Sequence, residues 1–307
     1  MNHTDLVAVT SRSFSKHSVL RRQLQERFSQ VKFNESGIKL TDNALIDFLK
    51  DAKRAIIGLE VINDHVLDHL PELKVICKMG TGIDKIDLEA LKRRKIAFAH
   101  TPGVNQRSVA ELVLGMIFTL LRHLSTINSL IKKGDWQQLK GRLLSGQTIG
   151  IIGFGAVGRD LAKLLSIFEC QCLIYDVQPC TQLMPHVKQV DLDTLLNHSE
   201  IVSIHVPLIS ENYHFIGARE LAKMKHQSIL INTARGGLVD EDALYDALTT
   251  GHLSAAALDV FEHEPIVPKK LLDLENFFAT SHIGGSTEEA IEAMGMMAIE
   301  NLEKMEI

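Results

Sequence analysis

Three polar side chains each follow a predicted β-strand in the second half of the chain: Arg235, Glu264 and His282. A guanidinium binds a carboxylate in bidentate fashion, an imidazole can shuttle a proton near neutral pH, and a carboxylate beside an imidazole favours its protonated form. Hydride removal from a 2-hydroxy acid needs such a cation and base. Each residue alone has a simpler interpretation, as a surface charge, a loop carboxylate or one of 14 histidines. Their shared position after successive strands favours a joint role.

A glycine-rich segment could bind the hydride acceptor. Gly153, Gly155 and Gly158 match the pattern G-x-G-x-x-G between a predicted strand at 149–152 and a predicted helix at 157–165. The glycines permit a tight turn, close approach of a pyrophosphate and close helix packing, and the helix N-terminus favours the anion. Asp176, which ends the next strand, would hydrogen-bond the adenosine ribose. This predicts NAD and disfavours NADP, whose 2'-phosphate would meet a carboxylate. A glycine turn without a nucleotide is the alternative.

Short β-branched runs alternate with amphipathic helices, which predicts an α/β fold of two doubly wound parallel-sheet domains, one flavodoxin-like and one Rossmann. The first series of strands is predicted at 6–10, 31–33, 55–58, 75–78 and 96–100, and the second, of six strands, at 149–152, 171–175, 201–206, 228–233, 255–260 and 277–280. A long apolar helix at 108–124 must be buried, in an interior or against a second subunit. The C-terminal helix at 287–304 is too short for a domain and could complete the first one.

Bulk properties exclude several classes of protein. The 307 residues carry a net charge of −5 and are 45% hydrophobic, which argues against nucleic-acid or anionic-membrane partners, and no apolar run approaches a membrane span. Four cysteines are expected to be reduced thiols, and no metal site is predicted at Cys170-x-Cys172. Because the N-terminus lacks a basic leader, we expect a cytoplasmic protein.

Four segments resemble signatures of the D-2-hydroxyacid dehydrogenases: 101–111 (TPGVNQRSVAE), 232–240 (NTARGGLVD), 258–265 (LDVFEHEP) and 282–285 (HIGG). The resemblance implies a discontinuous substrate-binding domain of residues 1–101 plus 286–307 and an inserted NAD-binding domain of residues 102–285. It also implies a homodimer formed through the long helix and the segment around Trp136, and Arg235, Glu264 and His282 as the catalytic residues.

The same resemblance implies the remaining site contacts. Asp259 would contact the nicotinamide carboxamide. Further cofactor contacts would come from Ala156, Val157, Val206, Pro207, Thr233, Ala234, Gly284 and Val109. Gly80, Thr81, Gly82 and Asn105 would bind the substrate, the three loop residues through its carboxylate. Residues 209–212 (ISEN) depart from the Thr-x-x-Thr loop that the family often has, and Glu264 in place of an amide disfavours a formate dehydrogenase.

Within the family, residues 78–84 (KMGTGID) and 105–111 are most similar to phosphoglycerate dehydrogenases, which implies 3-phosphoglycerate as substrate and a place in serine biosynthesis. The arginine that many of these enzymes carry near 58–60 is missing. Lys78 is the remaining candidate for a substrate phosphate, its alternative being a solvated strand-end lysine. We expect no regulatory domain after Ile307, and therefore no serine feedback.

Two other functions remain open, and a third is disfavoured. A glyoxylate or hydroxypyruvate reductase is the alternative within the family. An NADH-sensing binding protein without turnover is the alternative of another class. A Rossmann protein acting on a nucleotide-linked sugar is disfavoured, because this sequence lacks the Tyr-x-x-x-Lys pair that such enzymes usually carry.

Overall fold

The computed structural model describes residues 3–305, which divide into two compact units. The first unit consists of the described parts of 1–105 and 285–307, and the second of residues 106–284. The predicted boundary after residue 101 therefore moves to residue 105. Val104 packs on the apolar core of the first unit, and the Asn105 amide lies where it would meet a side chain on Gly285.

The described part of the first unit contains a five-stranded parallel sheet with the order β2-β1-β3-β4-β5. The strands are β1 His3–Val9, β2 Phe28–Phe33, β3 Arg54–Ile57, β4 Val75–Lys78 and β5 Ala97–Ala99. The helices are α1 Arg12–Lys16, α2 Ser18–Arg27, α3 Asp42–Leu49, α4 Asp64–Asp68 and α5 Leu88–Arg93. Alternate residues of β1 enter different cores, Ala8 one and Val7 and Val9 the other, so the sheet is covered on both faces.

The C-terminal helix α13, Glu288–Lys304, belongs to this first unit. It packs on α2 so closely that a Cβ on Gly295 would lie 2.2 Å from Leu20 Cδ1. Arg54 is buried and its Nη1 donates to the carbonyls of Leu302 at 2.7 Å and Met305 at 2.8 Å. These carbonyls at the end of the helix have no intrahelical donor, so a guanidinium beside them stabilises the end of α13.

Residues 106–284, all of them described, form a sheet of seven parallel strands with the order β12-β11-β10-β9-β6-β7-β8. The strands are β6 Thr148–Ile152, β7 Gln171–Tyr175, β8 Val187–Gln189, β9 Ile201–Ile204, β10 Ser228–Asn232, β11 Leu253–Leu258 and β12 Phe277–Ala279. The helices are α6 Gln106–Leu121, α7 Leu124–Lys132, α8 Ala156–Leu165, α9 Leu192–His198, α10 Ala218–Lys223, α11 Glu241–Thr249 and α12 Lys269–Leu272.

The prediction of six strands was wrong because β8 was not recognised. This strand has only three residues and pairs with one neighbour, β7, at the edge of the sheet. Other differences lie at element ends. The strand predicted to reach Val206 ends at Ile204, before Pro207, and the long helix runs from Gln106 to Leu121.

Helix α6 is buried along one face, which includes Val109, Val113, Met116 and Ile117. No single helix within residues 3–305 is long and apolar enough to cross a bilayer, and α6 with α7 meet that criterion only jointly, across a bend of 62°.

Candidate active site

His282 and Glu264 are brought together at the carboxyl end of the second sheet. His282 Nδ1 lies 3.0 Å from both carboxylate oxygens of Glu264, and the two side chains are 31% and 27% exposed. A carboxylate only accepts hydrogen bonds, so Nδ1 carries the proton. The other ring nitrogen, Nε2, is therefore the one that can exchange a proton with a substrate oxygen.

Arg235 lies in the loop that follows the neighbouring strand β10. Asn232, buried at the end of β10, accepts from the Ala234 amide at 3.0 Å and donates to the Arg235 carbonyl at 2.8 Å, which fixes this turn. The turn packs directly on the loop that carries Glu264, since a Cβ on Gly236 would lie 1.9 Å from the Phe261 carbonyl oxygen. Only glycine permits this approach, so the backbones bearing the guanidinium and the carboxylate are held side by side.

Asp259 is buried and organises the segment that bears His282. Its Oδ1 accepts from the Thr280 hydroxyl at 2.6 Å and the Ile283 amide at 2.8 Å, and its Oδ2 accepts from the Gly284 amide at 2.8 Å. His282 has a φ of +57°, a left-handed conformation that costs energy for a non-glycine residue. Its amide also donates to the Asp259 carbonyl at 2.8 Å. These bonds hold the strained residue in place, while the predicted carboxamide contact of Asp259 remains a prediction.

The glycine-rich loop has the geometry that a pyrophosphate requires. Gly153 has a φ of +92°, and a Cβ on Gly158 would lie 2.2 Å from the Gly153 carbonyl oxygen. A Cβ on Gly155, which precedes α8, would meet nothing within 4 Å, so space is open at the helix N-terminus. Ala156 and Val157 form the first turn of α8, whose free amides favour an anion.

Asp176 follows β7 and its orientation is set by the glycine-rich loop. Its Oδ2 accepts from the Phe154 amide at 2.8 Å and its Oδ1 from the Gln178 amide at 3.1 Å. Each oxygen has a second lone pair that could accept a ribose hydroxyl.

Other predicted cofactor residues lie at the same edge of the sheet. Thr233 Oγ1 is buried without a hydrogen-bond partner among residues 3–305, as expected if a ligand completes it. Val109 lies against Gly284, since a Cβ on Gly284 would be 3.4 Å from Val109 Cγ2. The Ser108 hydroxyl donates to the Gly284 carbonyl at 2.6 Å. Val206 and Pro207 follow β9 one residue later, after His205. Thus the open space at Gly155, the unpartnered Thr233 hydroxyl and the position of Asp176 fit NAD.

His205, which precedes Val206, was not singled out from the sequence. Its backbone packs on Gly153, and its Nε2 lies 2.9 Å from the Ser203 hydroxyl. Burial lowers the pKa of His205 to about 4, because a charged imidazole would lose hydration there. The imidazole beneath the glycine-rich loop is therefore neutral at physiological pH.

The predicted substrate loop lies in the first unit, after β4. Gly80 has a φ of +120°, and a Cβ there would lie 3.2 Å from Lys78 Nζ. Lys78 is buried and its Nζ donates to the Gly58 carbonyl at 2.5 Å and the Met79 carbonyl at 3.2 Å. The interpretation of Lys78 as a solvated strand-end lysine was therefore wrong. An ammonium has three donors, so at most one remains for a ligand.

Glu60 and His100 add to the electrostatics around Lys78. The buried Glu60 carboxylate accepts from the Gly58 amide at 2.5 Å, on the peptide group that follows β3. Burial and the charge of Lys78 lower the pKa of His100. Thr81 and Gly82 are partly exposed.

Sequence reasoning missed the residues that support the reacting groups: Asn232, Thr280 and Ser108. Each is a polar residue that lies in or next to an apolar element, and that pattern could have indicated a buried hydrogen bond. Its partner could not be inferred, since Ser108 and Gly284 are 176 residues apart.

Comparisons with known proteins agree with this geometry. The model of the family "D-isomer specific 2-hydroxyacid dehydrogenase, NAD binding domain" matches residues 114–284. A hydroxypyruvate reductase of Thermotoga maritima is 43% identical over 293 residues, covering 92% of this chain and 95% of the relative. A D-3-phosphoglycerate dehydrogenase of Methanocaldococcus jannaschii is 37% identical, covering 88% of this chain and 53% of the relative. The crystal structure of a glyoxylate reductase from Paecilomyes thermophila superposes with a TM-score of 0.86 at 26% identity, covering 97% and 94% of the two chains.

Proposed function

Because this chain belongs to the D-isomer specific 2-hydroxyacid dehydrogenase family, whose members include NAD-dependent enzymes acting on 2-hydroxy acids, we propose that Arg235, Glu264 and His282 perform its reaction. The observation that carries this proposal is the contact of His282 Nδ1 with both oxygens of Glu264 at 3.0 Å. That contact leaves Nε2 as the acid or base and stabilises the imidazolium.

Each group has one task in this proposal. Arg235 binds the substrate carboxylate. NAD, when bound, supplies the hydride acceptor and, as NADH, the donor. In oxidation the hydroxyl proton passes to neutral His282 Nε2, while the hydride leaves the carbon that bears this hydroxyl. In reduction the imidazolium returns the proton to the carbonyl oxygen, so protons and electrons balance in both directions.

The experiment that tests these roles follows NADH absorbance in both directions as a function of pH. Oxidation should rise with pH and reduction should fall, because the base must be neutral in one direction and charged in the other. His282→Ala and Arg235→Ala should each reduce kcat/KM by at least about a hundredfold. Parallel pH profiles, or a His282→Ala enzyme with full activity, would contradict the proposal. NADH binding without turnover of any 2-oxo acid would instead favour an NADH-sensing protein.

For the substrate, we propose hydroxypyruvate or glyoxylate before 3-phosphohydroxypyruvate. The surroundings of Lys78 support this order, since two of its three donors bind the Gly58 and Met79 carbonyls and the buried Glu60 carboxylate accepts from the amide of the same residue, Gly58. An anionic phosphate would be repelled by that carboxylate. The prediction of 3-phosphoglycerate in serine biosynthesis remains the alternative, and it requires Lys78 to bind the substrate phosphate.

The two substrates are distinguished by measuring kcat/KM for all three acids side by side in the wild type and in Lys78→Ala. Lys92→Ala, on the exposed face of α5, is the matched control. A higher kcat/KM for the unphosphorylated acids, with similar losses for all three in Lys78→Ala, would support hydroxypyruvate or glyoxylate. A preference for 3-phosphohydroxypyruvate that Lys78→Ala selectively removes would support the phosphorylated substrate.

We also propose a homodimer formed through α6, α7 and the segment around Trp136. Trp136 is 81% exposed and Leu143 is 73% exposed, and no residue of α7 is buried although Leu124 and Ile131 are apolar. A groove of about 770 Å³ between Leu120, Leu139 and Phe278 lies in the same region. Apolar surface of this kind marks protein interfaces. Light scattering should give the mass of two chains, and Trp136→Ala should weaken the association; a monomeric wild type would refute it.

A further inference from the structure

A second group of titratable side chains lies beside the loop that carries Glu264. The Tyr213 hydroxyl donates to one oxygen of Glu262, and His214 Nε2 lies 3.3 Å from the other. The rings of Tyr213 and His214 stack with their centroids 4.0 Å apart. His214 Nδ1 lies 3.8 Å from Asp240 Oδ2. None of these side chains has a part in the proton transfer described above.

Tyr213 and His214 lie on a segment that is fixed to the loop following Arg235. The His214 amide donates to the Gly237 carbonyl at 2.7 Å, and the Ile216 amide donates to the Leu238 carbonyl at 2.9 Å. The Tyr213 ring also covers Gly237, where a Cβ would lie 3.2 Å from Cε2. This pair of side chains is therefore held in place by its own backbone, independently of Glu262.

Glu262 belongs to the other loop, which follows β11, and is held at two points. Its side chain binds Tyr213 and His214, and its amide donates to Glu241 Oε1 at 2.8 Å. Glu264 is two residues further on. Its Oε1 accepts from the Phe261 amide at 3.4 Å, so the carboxylate that contacts His282 takes its position from the backbone next to Glu262.

Repulsion between neighbouring carboxylates explains why the contact of Glu262 with Tyr213 and His214 matters. Glu262, Asp240 and Glu241 bring three carboxylates to the start of α11, where the helix N-terminus offsets only part of their repulsion. Asp242, on the same turn, is paired with Lys270 at 2.7 Å. Among residues 3–305, His214 and the Tyr213 hydroxyl are the side-chain donors that face Glu262, and without them the repulsion between these carboxylates would displace the loop.

We propose that Tyr213 and His214 are positioning residues that act through Glu262 to hold Glu264 against His282. This inference rests on the proposed roles of Glu264 and His282. The juxtaposition of the His214 imidazole with the Glu262 carboxylate, two residues before Glu264, is the observation that carries it. A displacement of well under 1 Å at Glu264 would weaken its contact with the imidazole and slow proton transfer.

The test compares His214→Ala, His214→Gln and Tyr213→Phe with Glu264→Gln as the reference. Glutamine keeps a neutral hydrogen-bond donor near the position of Nε2, whereas alanine removes it. The exposed His198 and the partly exposed Tyr245, changed to Gln and Phe, are matched controls with wild-type kinetics. For each variant we measure the KM for NADH, the kcat for reduction of hydroxypyruvate from pH 5 to 10, and the thermal midpoint.

We expect His214→Ala to lower kcat about tenfold at an unchanged KM for NADH. The alkaline limb of the kcat profile of His214→Ala should move to lower pH by about half of the shift found in Glu264→Gln. Tyr213→Phe should change both quantities in the same direction, and His214→Gln should restore most of the kcat and the limb. These results would support the proposal. Partial unfolding of a variant would lower the apparent kcat by the same factor at every pH and would not move the alkaline limb of the pH profile.

Two results would overturn the proposal. The first is an alkaline limb that does not move in His214→Ala. The second is a limb that moves as far in His214→Gln as in His214→Ala, since the charge of His214 alone would then be responsible. Failure of the proposed function is seen separately. If His282→Ala keeps full activity, the assigned base is wrong; if it is inactive while the His214 variants behave as the wild type, only the positioning role is wrong.

Discussion

Replacement of Glu264 by Gln keeps the size of the side chain but removes the charge that contacts His282 Nδ1 at 3.0 Å. At this distance two opposite unit charges attract by roughly 5 kcal/mol at an effective dielectric constant of about 20. The side chains are 31% and 27% exposed, so solvent reduces the stabilisation of the imidazolium to about 1–2 kcal/mol. Since about 1.4 kcal/mol corresponds to a factor of ten, reduction, which requires the imidazolium, should slow by about tenfold in Glu264→Gln.

The direction of the effect is fixed by the sign of the charge. Loss of a carboxylate makes the imidazolium, the form that reduction requires, less stable. The alkaline limb of reduction and the acid limb of oxidation should therefore both move to lower pH, and reduction above both midpoints should be about tenfold slower. The assay is initial-rate kinetics with NADH and hydroxypyruvate, or glycerate and NAD, at saturating cofactor. Unmoved limbs, or a shift to higher pH, would refute the reasoning.

Three further predictions concern the cofactor site and the packing around it. Asp176→Asn keeps an oxygen to accept from the Phe154 amide but removes the negative charge, so the KM for NADPH should fall at least about tenfold while the KM for NADH rises. Gly236→Ala places a Cβ within 1.9 Å of the Phe261 carbonyl oxygen, and should destabilise the protein by about 1–3 kcal/mol and lower kcat, measured by urea unfolding and initial rates. His205 has a pKa lowered to about 4, so it contributes stability above pH 6.5 that is lost as the pH falls towards 4. His205→Gln should therefore reduce the loss of unfolding free energy between pH 7 and pH 5 by up to about 2 kcal/mol, and an unchanged slope would contradict the lowered pKa.

The local pattern of the sequence was enough to predict the fold class and the type of chemistry. Spacing of glycines between a strand and a helix predicts the loop at 153–158, because that spacing reports the dihedral angles and close packing that only glycine permits. Alternation of strands and helices predicts parallel sheets, and parallel sheets bring the residues after successive strands to one edge. This is why Glu264 and His282 could be expected to meet, although 18 residues separate them.

Only the tertiary structure decided which side chains support Glu264 and His282. The bond of Tyr213 to Glu262 spans 49 residues, and that of Arg54 to Met305 spans 251. Such contacts depend on the register and packing of distant segments, which local periodicity does not encode. The same holds for the buried ammonium of Lys78, the left-handed backbone of His282 and the short edge strand β8. Residue types and spacing determine what chemistry is available, whereas the folded chain sets the distances and the burial that control it.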